Sequence, residues 1–204
     1  MKKPSDFETA SREQFQTLPA GGYVCEIKRV EERTSQKGKP MIAVAVDIAD
    51  GEFKDYVRKS FERAYKSNPK AKWPNSGMCY CITENEDGTT NANFKNFVEC
   101  VKESNPGFEP AWGETFSEGF KHKKIGVVYC REQYKNDNNE LRWSTKPDFG
   151  HFKSVEDIRN GKYQVPEDKQ YKGLIVETAP AYQNDTKGGI PDGFEVIPED
   201  DVPF

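Results

Sequence analysis

The chain has few of the residues and motifs on which many enzymes and membrane proteins depend. It has only two histidines, and it has no G-x-x-x-x-G-K-[ST] or G-x-G-x-x-G motif, so neither a P-loop nor a dinucleotide site is supported. No apolar run approaches the roughly 18 residues of a membrane span. No hydrophobic segment follows the N-terminal lysines as it would in a signal peptide. We therefore expect a cytoplasmic protein that is not an enzyme and needs no cofactor.

Metal binding is also poorly supported. The five cysteines lie in apolar stretches and form no C-x-x-C pair. Cys79 and Cys81 are two positions apart, which is the spacing of one face of a strand rather than of a zinc site. We expect reduced thiols in the core and no metal site.

The net charge of −4 hides an asymmetry along the chain. Residues 172–204 hold two lysines against seven carboxylates, a net charge of −5, which leaves +1 for residues 1–171. Acidic segments of this kind are typical of interaction tails. The sequence therefore predicts a folded domain over residues 1–171 and a flexible acidic tail over residues 172–204.

Alternating apolar residues predict a mainly β domain. In residues 40–48 the bulky side chains of Ile42, Val44, Val46 and Ile48 share one face, which predicts a central strand. Similar patterns predict four further strands, the last two joined as a long hairpin; they lie in "LPAGGYVCEI", "GMCYCIT", "KKIGVVYCREQY" and "LRWSTKPDF".

One amphipathic helix is predicted after the third strand. Phe94, Phe97, Val98 and Val101 follow helical spacing behind a polar start, and "SVEDIRNG" predicts one further capped helical turn. Five strands with a single helix after the third match the order of the OB-fold, a small, partly open barrel that binds oligonucleotides. We predict an OB-like five-stranded barrel, although other small β folds share such patterns.

The stretch "EFKDYVRKSFERAYKSNPKAKWP", residues 52–74, has no regular periodicity but interleaves cations with aromatic rings. Cations follow a phosphate backbone and flat rings stack on unpaired bases, so this combination favours single-strand binding without sequence preference. The alternative is that the rings belong to the core. Together with Trp143 in the hairpin, the candidate nucleic-acid-binding residues are Phe53, Lys54, Tyr56, Arg58, Lys59, Phe61, Arg63, Tyr65, Lys66, Lys72, Trp73 and Trp143.

Two more rings are open to either interpretation. Tyr129 lies in a hairpin strand and could belong to an exposed stacking face or to the core. Trp112 lies in a loop and could likewise belong to a stacking surface or to the core.

One enzymatic alternative rests on three residues. Asp148 in "PDF", with Glu167 and Lys169 in "EDK", has the spacing of a class of metal-dependent nucleases, in which carboxylates hold Mg²⁺ and a lysine steadies the attacking water. In such nucleases the second carboxylate and the lysine lie on a strand of a sheet. Here Pro166 directly precedes Glu167 in a polar segment, where a central strand is not expected. We expect a turn and a solvated charge cluster at these positions. A protein-only adaptor that binds no DNA is a further alternative.

The last six residues, "EDDVPF", resemble the acidic C-terminal tip of bacterial and phage single-stranded DNA-binding proteins. In that family the tip binds partner proteins of replication and repair, with the phenylalanine in an apolar pocket and the aspartates along a basic rim. The resemblance implies these roles for Asp200, Asp201, Val202, Pro203 and Phe204.

The body of the chain is similar to a phage family of small DNA-metabolism proteins that accompany recombination functions. The similarity lies in "LPAGGYVCEI", "GKPMIAVAVDIADGEFKDY" and "KWPNSG". Together the two resemblances imply a protein that coats single-stranded DNA during phage DNA replication, recombination and repair. They place it in the bacterial host cell, where its tip would recruit host or phage replication and recombination proteins.

Overall fold

Five antiparallel strands form one sheet in the order β3-β2-β1-β4-β5. The computed structural model describes residues 17–136 and 138–172. The strands are β1 (Gly21–Thr34), β2 (Pro40–Ile48), β3 (Met78–Ile82), β4 (Lys124–Lys135) and β5 (Leu141–Lys153). The prediction of a mainly β domain is confirmed.

Within the described residues, three helices and one 3₁₀ turn lie between the strands, and a fourth helix follows β5. The helices are α1 (Tyr56–Ser67), α2 (Ala92–Ser104), α3 (Phe116–Gly119) and α4 (Val155–Arg159), and the 3₁₀ turn is Asn75–Gly77. The predicted helix is α2 and the predicted capped turn is α4, in which the Ser154 side chain accepts a hydrogen bond from the Asp157 N–H at 3.1 Å. In that part of the chain, none of the helices is long and apolar enough to cross a membrane.

The strand β1 pairs with a different neighbour along each of its halves. Residues 21–26 pair with β4 and residues 25–34 with β2. The register with β2 shifts between Ile27 and Arg29, so Lys28 is an extra residue, a β-bulge. A bulge bends its strand and increases the local twist. The curved sheet brings its edge strands β3 and β5 near each other without pairing them, so it is open rather than closed into a barrel.

The core fills the concave face of the sheet and is closed by α2. Ile42, Val44, Val46 and Ile48 are buried there, as the alternation predicted. Phe97 of α2 is fully buried and is the aromatic centre, with ring centroids 5.2 Å from Phe120 and 5.1 Å from Phe152.

All five cysteines are free and buried, as predicted. Burial raises the pKa of the Cys81 and Cys100 thiols to about 12. Because only the thiolate is a good nucleophile and metal ligand, these residues act as small apolar core side chains.

The prediction of one long helix was incomplete, since α1 lies in the stretch that had no clear periodicity. Its only fully buried side chain is Val57, and most of its other side chains are exposed. A helix that buries so few side chains shows only a weak apolar periodicity in its sequence, because that periodicity comes from the side chains that face the core. This helix positions the candidate site.

We predict that Phe97→Ala lowers the free energy of unfolding by about 3–5 kcal/mol, because it opens a cavity beside the rings of Phe120 and Phe152. The matched control is Lys95→Ala, an exposed position on the same helix, which should change stability by less than about 0.5 kcal/mol. Urea unfolding followed by circular dichroism measures both. Equal losses in the two variants would show that α2 does not close the core.

Candidate nucleic-acid interface

A groove lies on the convex side of the sheet, where α1 and the segment after it fold over β1 and β2. Its volume is about 410 Å³. Apolar side chains form the floor, two aromatic rings form one wall, and three cations and one carboxylate, that of Glu31, complete the lining. We call it the cationic groove and define it by Ala43, Ala45, Ala71, Met78, Phe61, Trp73, Lys28, Arg29, Lys72 and Glu31.

The bulge in β1 places two of the three cations at the groove. In a regular strand, successive side chains point to opposite faces. Because Lys28 is the extra residue, Lys28 and Arg29 both line the groove. Arg29 is 74% exposed and pairs with Glu31 at 2.5 Å, while Lys28 pairs with Glu26 at 2.9 Å. The partner carboxylates Glu26 and Glu31 are partly buried, so a phosphate would have to compete with them for these two cations.

Lys28 and Arg29 were not among the predicted site residues. A signal for them exists in the apolar pattern of β1: Cys25 and Ile27 alternate regularly, but the next buried residue is Val30, three positions later. Such a phase shift indicates a bulge, and the residues inside it leave the regular alternation.

The aromatic wall is held in place by backbone contacts. The indole N–H of Trp73 donates to the Val46 carbonyl at 3.3 Å, which fixes the ring against β2. Gly77 makes this approach possible, because a Cβ there would lie 2.5 Å from both Trp73 and Val57. Phe61 lies against Trp73, with ring centroids 5.6 Å apart.

Tyr65 extends the wall toward solvent. Its ring centroid lies 5.7 Å from that of Phe61, and the side chain is 50% exposed. The three rings Tyr65, Phe61 and Trp73 thus form a series from the helix surface to the sheet. Rings held in fixed positions are suited to stacking on bases, since little side-chain freedom remains to be lost.

A buried carboxylate on β2 fixes the start of α1. Asp47 accepts hydrogen bonds from the backbone N–H of Ile48 at 2.9 Å and of Val57 at 3.0 Å. The N-cap residue of α1, Asp55, makes no side-chain cap bond, so Asp47 supplies an acceptor from the sheet instead. Its second oxygen has no hydrogen-bond partner among the described residues, and burial raises the pKa of Asp47.

The cations of α1 and its approach lie on the solvent side. Lys54, Lys59, Arg63 and Lys66 are all exposed, and the Lys59 ammonium donates to the Lys54 carbonyl at 3.1 Å. Arg58 is engaged with two carboxylates, those of Asp55 at 2.9 Å and Glu62 at 3.9 Å. None of these side chains lines the groove.

Three rings that were candidates for stacking lie with the core instead. Phe53 and Tyr56 pack against the main core cluster through Tyr23, and the Tyr56 hydroxyl accepts from the Leu18 N–H at 3.4 Å. Tyr129 is fully buried. The core alternative holds for Tyr129, whose ring β4 turns inward, whereas Phe53 and Tyr56, just before and at the start of α1, are partly buried against the core.

The hairpin β4-β5 carries a second exposed ring. Trp143 is 39% exposed, and the Arg131 guanidinium lies 4.7 Å from its ring centroid. Arg131 also pairs with Asp168 at 3.2 Å. A cation over an indole face helps to hold the ring in place. Trp143 is therefore a partly exposed aromatic side chain on a different element from the cationic groove.

The predicted turn with solvated charges at Asp148 and Lys169 was wrong. Asp148 is buried, and the Lys169 ammonium lies 2.5 Å from one of its oxygens while His151 Nδ1 contacts the other. The backbone of Lys169 pairs with the edge of β4, donating to Arg131 at 2.9 Å and accepting from Gln133 at 2.8 Å. The hydrogen bond to Asp148 raises the pKa of Lys169.

This ion pair fastens the segment around Lys169 to the hairpin. Glu167, the third residue of the nuclease pattern, is exposed. Among residues 17–136 and 138–172, no group of three or more histidine, cysteine, aspartate and glutamate side chains is placed to hold a metal ion. The predicted tip residues Asp200, Asp201, Val202, Pro203 and Phe204 lie outside the described residues.

Comparison with known proteins gives one family. Residues 5–98 match the family described as "Protein of unknown function (DUF669)". All residues of the cationic groove fall within this match, whereas the hairpin lies beyond it. A search of curated proteins finds no match to the chain.

We predict that Asp47 makes stability depend on pH. Burial raises its folded-state pKa above the usual 3.8, so the folded chain holds the proton more tightly than the unfolded chain does. Its contribution to stability is then present below pH 3.8 and is lost as pH rises through the raised pKa.

Asp47→Asn tests this prediction, because the amide oxygen still accepts from the two N–H groups and cannot ionise. The free energy of unfolding of Asp47→Asn minus that of the parent chain should increase as pH rises from about 4 to 7. Urea titrations at several pH values measure the difference. A difference that stays constant with pH would show that Asp47 is not perturbed.

Proposed function

We propose that this protein binds single-stranded DNA without sequence preference, through the cationic groove. The observation that carries the proposal is the junction of three cations with the Phe61–Trp73 wall over an apolar floor. Cations neutralise phosphates and rings stack on any base, so the combination binds strands of any sequence. In duplex DNA the faces of the bases are stacked on each other, so the aromatic wall of the groove cannot stack on them.

The topology supports an OB-like assignment, which we propose as the finer description of the fold. The OB-fold is a five-stranded, partly open barrel that binds oligonucleotides on the face of its second and third strands and through the loops between strands 1 and 2 and strands 4 and 5. Here β1 lies between β2 and β4, the helix α2 follows β3, and the edge strands β3 and β5 lie near each other. The cationic groove lies on the outer face of β2, and Trp143 projects from the β4-β5 hairpin.

The same proposal includes recruitment of partner proteins through residues 200–204. It rests on the resemblance of "EDDVPF" to the tip of single-stranded DNA-binding proteins. In this proposal the protein coats DNA during phage replication, recombination and repair in the cytoplasm of a bacterial host, and the tip brings in the proteins that process the strand.

A metal-dependent nuclease is the second candidate function. The observation that favours it is the 2.5 Å contact between Asp148 and Lys169, two residues of the nuclease pattern that the fold brings together. Both oxygens of Asp148 contact cationic or ionisable partners, so Mg²⁺ binding would require the ammonium of Lys169 to move away. The non-enzymatic function needs no such rearrangement.

We predict that the double variant Arg29→Ala with Lys72→Ala weakens binding to oligo-dT and reduces its salt dependence. If each cation neutralises one phosphate, the slope of log K against log salt should become less negative by about 1.4. Fluorescence anisotropy of a labelled oligo-dT at several salt concentrations measures the slope.

The matched control removes two cations elsewhere, with Lys95→Ala and Lys121→Ala, both at exposed positions outside the groove. The control should leave the slope unchanged. Equal slopes in the two double variants, or equal affinity of the parent chain for duplex and single strand, would contradict the proposal. Cleavage of the labelled strand after addition of Mg²⁺ would favour the nuclease instead.

Removal of residues 197–204 tests the role of the tip. We predict loss of partner proteins in pull-downs from infected-cell extract, because the anchor Phe204 is gone, and tighter oligo-dT binding at low salt, because fewer carboxylates compete for the groove. Phe204→Ala should lose the partners while leaving DNA affinity almost unchanged, since it removes no charge. Recovery of the same partners with the shortened chain would rule out the tip as their binding site.

A further inference from the structure

A second groove, of opposite charge, lies where the loop between α2 and α3 passes over the end of the sheet. Its volume is about 510 Å³. The apolar side chains Met41, Phe94, Phe116 and Trp112 and the carboxylates of Glu32, Glu84 and Glu114 line it. We call it the acidic groove. Its lining shares no residue with the cationic groove.

Trp112 is the most exposed of the large hydrophobic side chains in the described part of the chain, with 68% of its surface open to solvent. It is nevertheless held in place: its ring is stacked on Phe116 with centroids 5.0 Å apart and planes at 21°, and it meets the edge of Phe94 at 6.4 Å. Both supporting rings are buried in the core. The indole is therefore a fixed apolar surface, and its burial by a partner would cost little conformational entropy.

The charges at this groove decide what kind of partner fits it. Glu32, Glu84 and Glu114 form no ion pair with a lysine or arginine among the residues that the structure describes, and Glu32 is held only by the Ser117 hydroxyl at 3.1 Å. The one cation of the lining, Arg33, donates to Glu31 at 3.0 Å. A nucleic-acid strand would place phosphates next to three carboxylates, which is repulsive. A peptide with lysine or arginine beside an apolar side chain would gain both contacts.

We propose that the acidic groove is a docking site for a basic peptide segment of a partner protein. An apolar side chain of the segment packs on Trp112, and flanking lysines or arginines pair with Glu32, Glu84 and Glu114. An aromatic anchor in a shallow pocket with complementary charges at the rim is the usual form of such a site. The proposal does not depend on DNA binding, because it involves a different surface.

The test follows the indole N–H signals of the three tryptophans in the ¹H–¹⁵N spectrum of the full chain. The probe is the peptide GKRLLKRG with blocked ends. We expect the Trp112 signal to shift on titration while those of Trp73 and Trp143 stay in place. The peptide GEDLLEDG, in which every cation is replaced by an anion, should cause no shift, and GKRGGKRG, which lacks the apolar anchor, should bind at least about tenfold more weakly.

Two variants and a control locate the site. Glu114→Lys should weaken binding of GKRLLKRG by about threefold to tenfold, and Trp112→Ala should weaken it by about thirtyfold, as for an aromatic anchor. Because Trp112→Ala lacks the reporting indole, the affinities of the variants are compared by fluorescence anisotropy of labelled GKRLLKRG. Glu103→Lys makes the same charge change at an exposed position of α2 outside the groove and should have no effect. Unchanged Trp73 and Trp143 signals show in each case that the variant is folded.

Three results would overturn the proposal. The first is a GKRLLKRG titration that leaves the Trp112 signal unmoved. The second is a shift of the Trp112 signal when the concentration of the protein alone is raised. That result would show that a second copy of the chain occupies the acidic groove. The third is a Trp112 shift with oligo-dT and none with the peptide, which would make the groove a nucleic-acid site. Because oligo-dT is read separately at Trp73, failure of the peptide site leaves the proposed DNA binding untouched.

Discussion

The bulge at Lys28 is the constraint on which the architecture and the cationic groove both depend. It lets β1 change partners along its length, from β4 at its start to β2 at its end, and the bend that results curves the sheet around the main core. A smaller cluster joins Val24 and Val128 of the sheet to Val155 and Ile158 of α4. The same extra residue breaks the alternation of side chains, so two consecutive cations line the convex side. Curvature and charge placement are thus two results of one insertion in the strand.

The segment between β2 and β3 turns the convex face of the sheet into a site. Without that segment, the part of the convex face at β2 would present the small side chains of Ala43 and Ala45, which offer little contact area to a ligand. The buried carboxylate of Asp47 fixes the start of α1, and the bond from Trp73 to the Val46 carbonyl fixes the end of the segment. Between these two anchors the aromatic wall has no freedom to collapse onto the floor, so the groove stays open.

Periodicity predicted the elements that bury a wide face, and it failed where the buried face is narrow. The strands and α2 were predictable because alternation or helical spacing in them reflects direct burial against the core, as with Phe97. The helix α1 buries one residue fully, so tertiary anchors rather than pattern decide its place. The stacking candidates Phe53, Tyr56 and Tyr129 show the same limit: composition indicates that a ring is present, but only the turn of the chain decides whether it faces the core or solvent.

The two grooves use the same physical means with opposite charge. Each has a tryptophan supported by a second ring on an apolar floor, so the stacking surfaces alone would not discriminate between a base and a hydrophobic side chain. The rims differ in charge: Lys28, Arg29 and Lys72 lie at one groove, and Glu32, Glu84 and Glu114 lie at the other. Charge at the rim is therefore the feature by which the two proposed ligands, a single strand and a basic peptide, would be discriminated. Because the linings share no residue, both proposed ligands would fit the protein at the same time.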